Sequence, residues 1–255
     1  METSLRGKTA IVTGASRGIG RAIARALSGE GVQLVLSGRD EGALASLALE
    51  TGGVIHAADL RAADAPAALV DLALSRFGRL DLVVGNAGAT RRGDFFELSD
   101  DDFVDGFAVK YFAHVRLMRA AWPHLVKAQG TVVQIIGIGG RTPGAEFTVG
   151  GSVNAALMAF VKAMAEVGIR DGVRVCAINP GSIATDRLKR RIANFAAAEG
   201  TDETTAAVAL AGRLGVRRFG APEEIAAAVV FLASAQAAYV HGAILDVDGG
   251  ATKTL

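Results

Sequence analysis

The chain has 255 residues, 51% of them apolar, and a formal net charge of +1. That length buries the core of one large α/β domain or two small ones, and the near-neutral balance gives no electrostatic case for a nucleic-acid partner. No uninterrupted apolar run has bilayer length, residues Met1–Lys8 lack the apolar stretch of a secretory signal, and the lone Cys176 excludes an intrachain disulfide, so a cytoplasmic protein with no membrane partner is expected.

In chain order, β-branched runs mark strands at 9–13, 33–37, 53–57, 80–85, 131–136, 173–178 and 243–247. Between them, Ala- and Leu-rich stretches mark helices at 20–30, 40–50, 63–77, 100–127, 152–171 and 222–234. Mostly apolar strands alternating with helices predict a parallel sheet covered on both faces. With right-handed crossovers this is a single-domain, doubly wound α/β Rossmann fold of about seven strands, spanning residues 1–255. Cys176 lies in the apolar run 173–178 and reads as a buried structural thiol. Residues 186–220 break the rhythm. They are charged, punctuated by Gly200, Gly212, Gly215 and Gly220, and read as an excursion over the carboxyl edge of the sheet, where such folds bind ligands.

The segment Thr13-Gly14-Ala15-Ser16-Arg17-Gly18-Ile19-Gly20 leaves a strand and opens a helix. Gly14 permits a tight turn, Gly18 lets backbone approach a pyrophosphate, and Gly20 permits close helix–strand packing. The helix N-terminus then offers its unpaired N–H groups and positive dipole end to phosphates. At the end of the second strand an acidic residue usually holds the ribose 2′-hydroxyl of NAD. Here the run is Leu36-Ser37-Gly38-Arg39. Arg39 and Arg17 suit a 2′-phosphate, which points to NADP(H). Two solvated surface arginines are the plainer alternative.

The spacing G-x-x-x-G-x-G, together with Asn86-Ala87-Gly88, Asn179-Pro180-Gly181-Ser182-Ile183-Ala184-Thr185, Phe219-Gly220-Ala221-Pro222-Glu223-Glu224 and Val247-Asp248-Gly249-Gly250, resembles the short-chain dehydrogenase/reductase family. The likeness covers nearly the whole chain and is strongest to the branch of the 3-oxoacyl carrier-protein reductases. It implies that Asp59 and Leu60 contact the adenine and that Asn86, Ala87 and Gly88 line the adenine ribose. It also implies that Pro180, Gly181, Ile183 and Thr185 surround the nicotinamide. It further implies a homodimer or homotetramer, a small-molecule substrate, and a mobile substrate lid in the 186–220 region. No metal site is expected.

The same resemblance implies a catalytic Tyr-x-x-x-Lys pair, a Ser thirteen residues before the Tyr, and an Asn on the preceding helix. This chain departs at all four positions. Gly137 stands for the Ser, Gly150 for the Tyr, Asn154 for the Lys and Lys110 for the Asn, with the spacing of thirteen between 137 and 150 kept. Lys and Asn have thus changed places, which is either a reciprocal exchange that preserves a cation and an amide beside the ribose, or two unrelated losses. No hydroxyl remains at 137 or 150, and the two glycines are expected to leave space above the nicotinamide. His114, one turn beyond Lys110, is a candidate proton donor of suitable pKa; Tyr111, Glu146 and Thr148 are further ones. Lys110, Asn154 and His114 are therefore the expected catalytic residues. The expected function is an NADP(H)-dependent oxidoreductase with a rebuilt proton-donor site, acting on a carbonyl, imine or activated alkene. The alternative is a catalytically silent NADP(H)-binding sensor or partner, which a cleft plugged by Phe147 or by the lid would favour. Four cations in the five residues 187–191 suit an acidic substrate or, more plainly, a solvated helix face.

Overall fold

The computed structural model describes residues 3–254. Seven strands form one sheet: β1 (Thr9–Thr13), β2 (Gln33–Gly38), β3 (Val54–Ala57), β4 (Leu82–Gly85), β5 (Thr131–Ile135), β6 (Arg174–Pro180) and β7 (Ile244–Val247). Every pairing is parallel and the spatial order is β3-β2-β1-β4-β5-β6-β7. The order reverses at β1, which lies between β2 and β4. The crevice beyond their carboxyl ends is the switch point of a doubly wound sheet.

The alternation of side chains along each strand divides the core into two layers. Ala10, Val12, Leu34, Leu36, Val133 and Ile178 face one side, and pack against helices α1 (Gly18–Gly29), α2 (Glu41–Thr51) and α9 (Pro222–Ala233). Ile11, Val35, Val83, Val132, Val175 and Ala177 face the other, against α3 (Ala65–Phe77), α5 (Ala113–Ala128) and α6 (Thr148–Asp171). Cys176 is fully buried in the first layer. By length and hydropathy alone α6 is a candidate membrane span. In the fold, its stripe of Val149, Val153, Leu157 and Val161 is fully buried.

Three differences from the sequence reading position the site. The helix expected at 100–127 is interrupted: α4 (Asp100–Phe107) passes through a π-turn at Ala108–Phe112 before α5 begins. A π-turn admits one extra residue per turn and re-aims the side chains it carries, and Lys110 is one of them. α6 starts at Thr148, four residues earlier than expected, which puts Gly150 inside a helix. The 186–220 excursion holds two helices, α7 (Asp186–Glu199) and α8 (Glu203–Arg213), packed on each other. Asp202 caps α8 by accepting from the Thr204 and Thr205 N–H groups.

Candidate active site

The glycine-rich turn is closed by sterics that only glycine satisfies. A Cβ at Gly20 would lie 2.1 Å from the Gly14 carbonyl oxygen, and one at Gly14 would lie 2.9 Å from the Asn86 amide nitrogen. Gly14 and Gly18 both have positive φ. Arg17 precedes α1 in extended backbone and gives no side-chain cap, so the first-turn N–H groups are free for an anion. Asn86 anchors the turn: its amide donates to the carbonyls of Thr13 (3.0 Å) and Gly14 (3.2 Å). The Thr13 hydroxyl in return accepts the N–H groups of Asn86 and Ala87, both at 2.9 Å. From the far side, the Thr185 methyl stands 3.2 Å from where a Gly18 Cβ would be, so the loop after β6 roofs the turn. The residues present thus fit the phosphates of a dinucleotide.

At the end of β2, Ser16 Oγ lies 3.4 Å from the place a side chain at Gly38 would start. Arg39 is exposed, and its nearest acid is Asp59 at 4.0 Å. Asp59 is held chiefly by Arg61, which reaches it at 2.8 Å and also pairs with Asp105 on α4. Leu60 turns its side chain into the core and is 5% exposed, whereas Asp59 stays at the surface. Ile183 is likewise buried and bridges to Gly220.

The rewritten catalytic positions converge. Lys110 Nζ donates to Asn154 Oδ1 and to the Ile136 carbonyl, each at 2.6 Å. Asn154 Nδ2 donates to the Gly137 carbonyl at 3.2 Å, and the Gly137 N–H donates to Asn179 Oδ1 at 3.3 Å. Asn179 passes the chain to Asp246 at 2.8 Å. Gly88 makes room for the lysine stem, because a Cβ there would lie 2.8 Å from Lys110 Cγ. Burial, assisted by the positive charge of Arg187, pushes the Lys110 ammonium down to about 7. Two of its three N–H donors have partners and the third is uncommitted among the described residues.

Two of the other candidate donors, His114 and Tyr111, are engaged elsewhere. His114 is 1% exposed, and its Nε2 donates to the Ala87 carbonyl at 2.9 Å. Burial, then the Lys110 charge, lower it to about 4. It stands as a neutral ring whose single proton is committed to backbone, so its expected part as proton donor is replaced by support of the Asn86–Gly88 turn. Tyr111 faces away into an edge-to-face cluster with Phe107, Phe112 and Phe160, consistent with the rule that adjacent helical residues diverge. Glu146 is exposed.

The space expected at Gly150 is filled. A Cβ at Gly150 would lie 2.0 Å from the Phe147 ring, and one at Gly139 would lie 2.6 Å from the same ring. The two glycines form a slot for Phe147, and Arg92 stacks its guanidinium 4.0 Å above that ring. Arg92 was not among the sequence candidates. The only signal for this arrangement is the pair of glycines, which marks a close approach without saying what approaches.

Residues 14–252 match the family model described as enoyl-(acyl carrier protein) reductase. The chain is 33% identical to a 3-oxoacyl-[acyl-carrier-protein] reductase of Vibrio harveyi, over 97% of this chain and 98% of that one. It is 37% identical to the L-fucose dehydrogenase of Mus musculus, over 98% of this chain and 90% of that one. The crystal structure of L-sorbose reductase from Gluconobacter frateurii, complexed with NADPH and L-sorbose, superposes with a TM-score of 0.94 at 32% identity over the whole of both chains. The glycine turn, the sheet order and these matches agree, and the chain belongs to the short-chain dehydrogenase/reductase family of oxidoreductases.

Proposed function

We propose that the chain is an NADP(H)-dependent reductase of a carbonyl, imine or activated alkene in which Lys110 supplies the proton that the family takes from a tyrosine. The observation that carries this reading is the 2.6 Å contact between Lys110 and Asn154. The exchanged pair meets as one hydrogen-bonded unit beside Gly137, and it is held there by a π-turn and by a glycine at 88. A solved relative complexed with NADPH, another described as an NADPH-dependent reductase, and the cationic pair Arg17 and Arg39 support NADP(H) as the cofactor.

When bound, NADPH supplies a hydride. The α1 N-terminus would hold its pyrophosphate, Arg17 and Arg39 would take the 2′-phosphate, and Thr185 roofs the turn. Ile136 and Asn154 fix Lys110 Nζ in place and leave one N–H for a substrate oxygen or carbon. An acid near pKa 7 is matched to neutral pH and donates readily. Its low value needs no separate device, because burial and Arg187 already disfavour the charge. The same reading makes 186–220 a substrate lid and the protein a cytoplasmic homodimer or homotetramer acting on a small molecule.

One observation favours a second reading. Phe147 occupies the volume where the family's hydroxyl-bearing side chain would begin. A protein that only senses or carries the dinucleotide would show such a plug. The two readings separate in one comparison. Lys110→Ala is expected to slow NADPH oxidation by a carbonyl, imine or enone about 10²-fold or more, whereas Lys127→Ala, at the exposed end of α5, leaves it unchanged. Equal effects of the two variants, or tight NADPH binding without oxidation in the wild type, support the second reading.

A further inference from the structure

Arg92 stands over Phe147 with no ion pair or hydrogen bond among the described residues. Glu146 is the one acid that acts on it, while Arg187 and Arg191 face it from α7 within electrostatic reach. Arg187 in turn faces Lys110, Arg17 and Arg190. Several other surface arginines are paired: Arg91 with Asp102, Arg213 with Glu199, Arg218 with Glu224. Like charges that face one another repel, and an anion entering between them relieves that repulsion. The dinucleotide accounts for part of this charge, since Arg17 and Arg187 adjoin the glycine turn. Arg92 belongs to the other wall. Its ring partner Phe147 and the Asn154 amide both border Gly139, so Arg92 adjoins the Lys110–Asn154 pair rather than the phosphates.

We propose that Arg92, with Arg191 across the cleft, binds an oxyanion on the substrate, a carboxylate or a phosphoester, and so holds the reducible group beside Lys110. Stacking on Phe147 fixes the guanidinium plane and leaves its N–H edge for a forked pair of hydrogen bonds, the geometry at which arginine surpasses lysine. The proposal rests on the reductase reading and assigns its substrate class.

The test is calorimetric titration of the NADP⁺-loaded protein, in which no hydride is available, with two matched pairs. Levulinate is compared with methyl levulinate, and dihydroxyacetone phosphate with dihydroxyacetone. At least one anion is expected to bind about tenfold more tightly than its neutral partner. Preference for levulinate assigns a carboxylate, and preference for the phosphate assigns a phosphoester. In Arg92→Gln the preference falls to about twofold or less, with NADP⁺ affinity unchanged, while Arg76→Gln on α3 keeps it. Equal binding within both pairs, or a preference that survives in both Arg92→Gln and Arg191→Gln, overturns the proposal. Anion preference with no NADPH oxidation by any carbonyl, imine or enone contradicts the reductase reading and leaves the anion site standing. Oxidation by neutral ketones without anion preference does the reverse.

Discussion

At position 137 the missing serine is written into the backbone as well as the side chain. Gly137 has φ +128°, a conformation that L-residues rarely adopt, and a Cβ there would press to 3.2 Å on the Asn154 amide. Position 150 is closed in a different way, by the Phe147 ring. Gly150→Tyr alone is therefore expected to lower stability by about 1–3 kcal/mol through overpacking, and Phe147→Gly in the same chain to recover most of that loss; urea unfolding of the wild type and the two variants measures it. The Lys110–Asn154 exchange was legible in the sequence because the motif register survives around it. Phe147 was legible only as one of two possible plugs beside the lid, since no pattern in a chain tells which neighbour refills a volume that a glycine vacates. Arg39 was legible as the cation that follows Gly38, which stands at the usual acidic position. Arg39→Ala is expected to raise the NADPH dissociation constant about tenfold, the scale of one charge-assisted contact, and to leave that of NADH unchanged, as fluorescence titration will read.

Among the elements, the strands were readable because runs of Val, Ile and Leu buried on both faces have few alternatives. Their ends were less so: β6 runs on through Pro180 because its last residues still pair with β7. Of the helices of 186–220 only a solvated face at 187–191 was legible, since glycines and charge interrupt the apolar period, and α8 relies on Asp202 as its cap. The π-turn left no mark in the sequence, yet it decides where Lys110 points. At the opposite edge of the sheet, Asp81 pins three strands. Its carboxylate accepts the Thr9 N–H at 2.9 Å and two bonds from Arg79, while its backbone pairs with Thr9 and Thr131. Asp81 is buried, so Asp81→Ala leaves the Thr9 donor unpaired. A loss of about 2–3 kcal/mol is expected, with NADPH affinity intact because the cofactor crevice lies at the other end of the strands. Parallel unfolding and binding measurements separate the two.

The whole molecule places its glycine turn, its exchanged Lys–Asn pair and its unpaired arginines at one carboxyl edge, so stability and function are coupled through charge. Both Lys110 and His114 bind protons less readily in the folded chain than in the unfolded one, at about 7 against 10.5 and about 4 against 6.5. The unfolded state thus holds more protons in each window, and stability rises with pH from about 4 to 6.5 and again from about 7 to 10.5, and is lost as pH falls through the same ranges. Lys110→Gln is expected to remove its part of the upper rise in urea unfolding measured across pH. The lower window belongs to His114 and narrows without vanishing, because burial is the larger cause of that shift and the Lys110 charge the smaller. The central claim, that a lysine has taken over proton delivery beside a dinucleotide site, is tested most directly by the pH dependence of single-turnover NADPH oxidation against ketones, imines and enones. The rate is predicted to be level in acid and to fall tenfold per pH unit above about 7, as the donor loses its proton, with Lys110→Gln slow and flat throughout. A wild-type rate that does not change between pH 6 and 9, or one that Lys110→Gln reproduces, would contradict it.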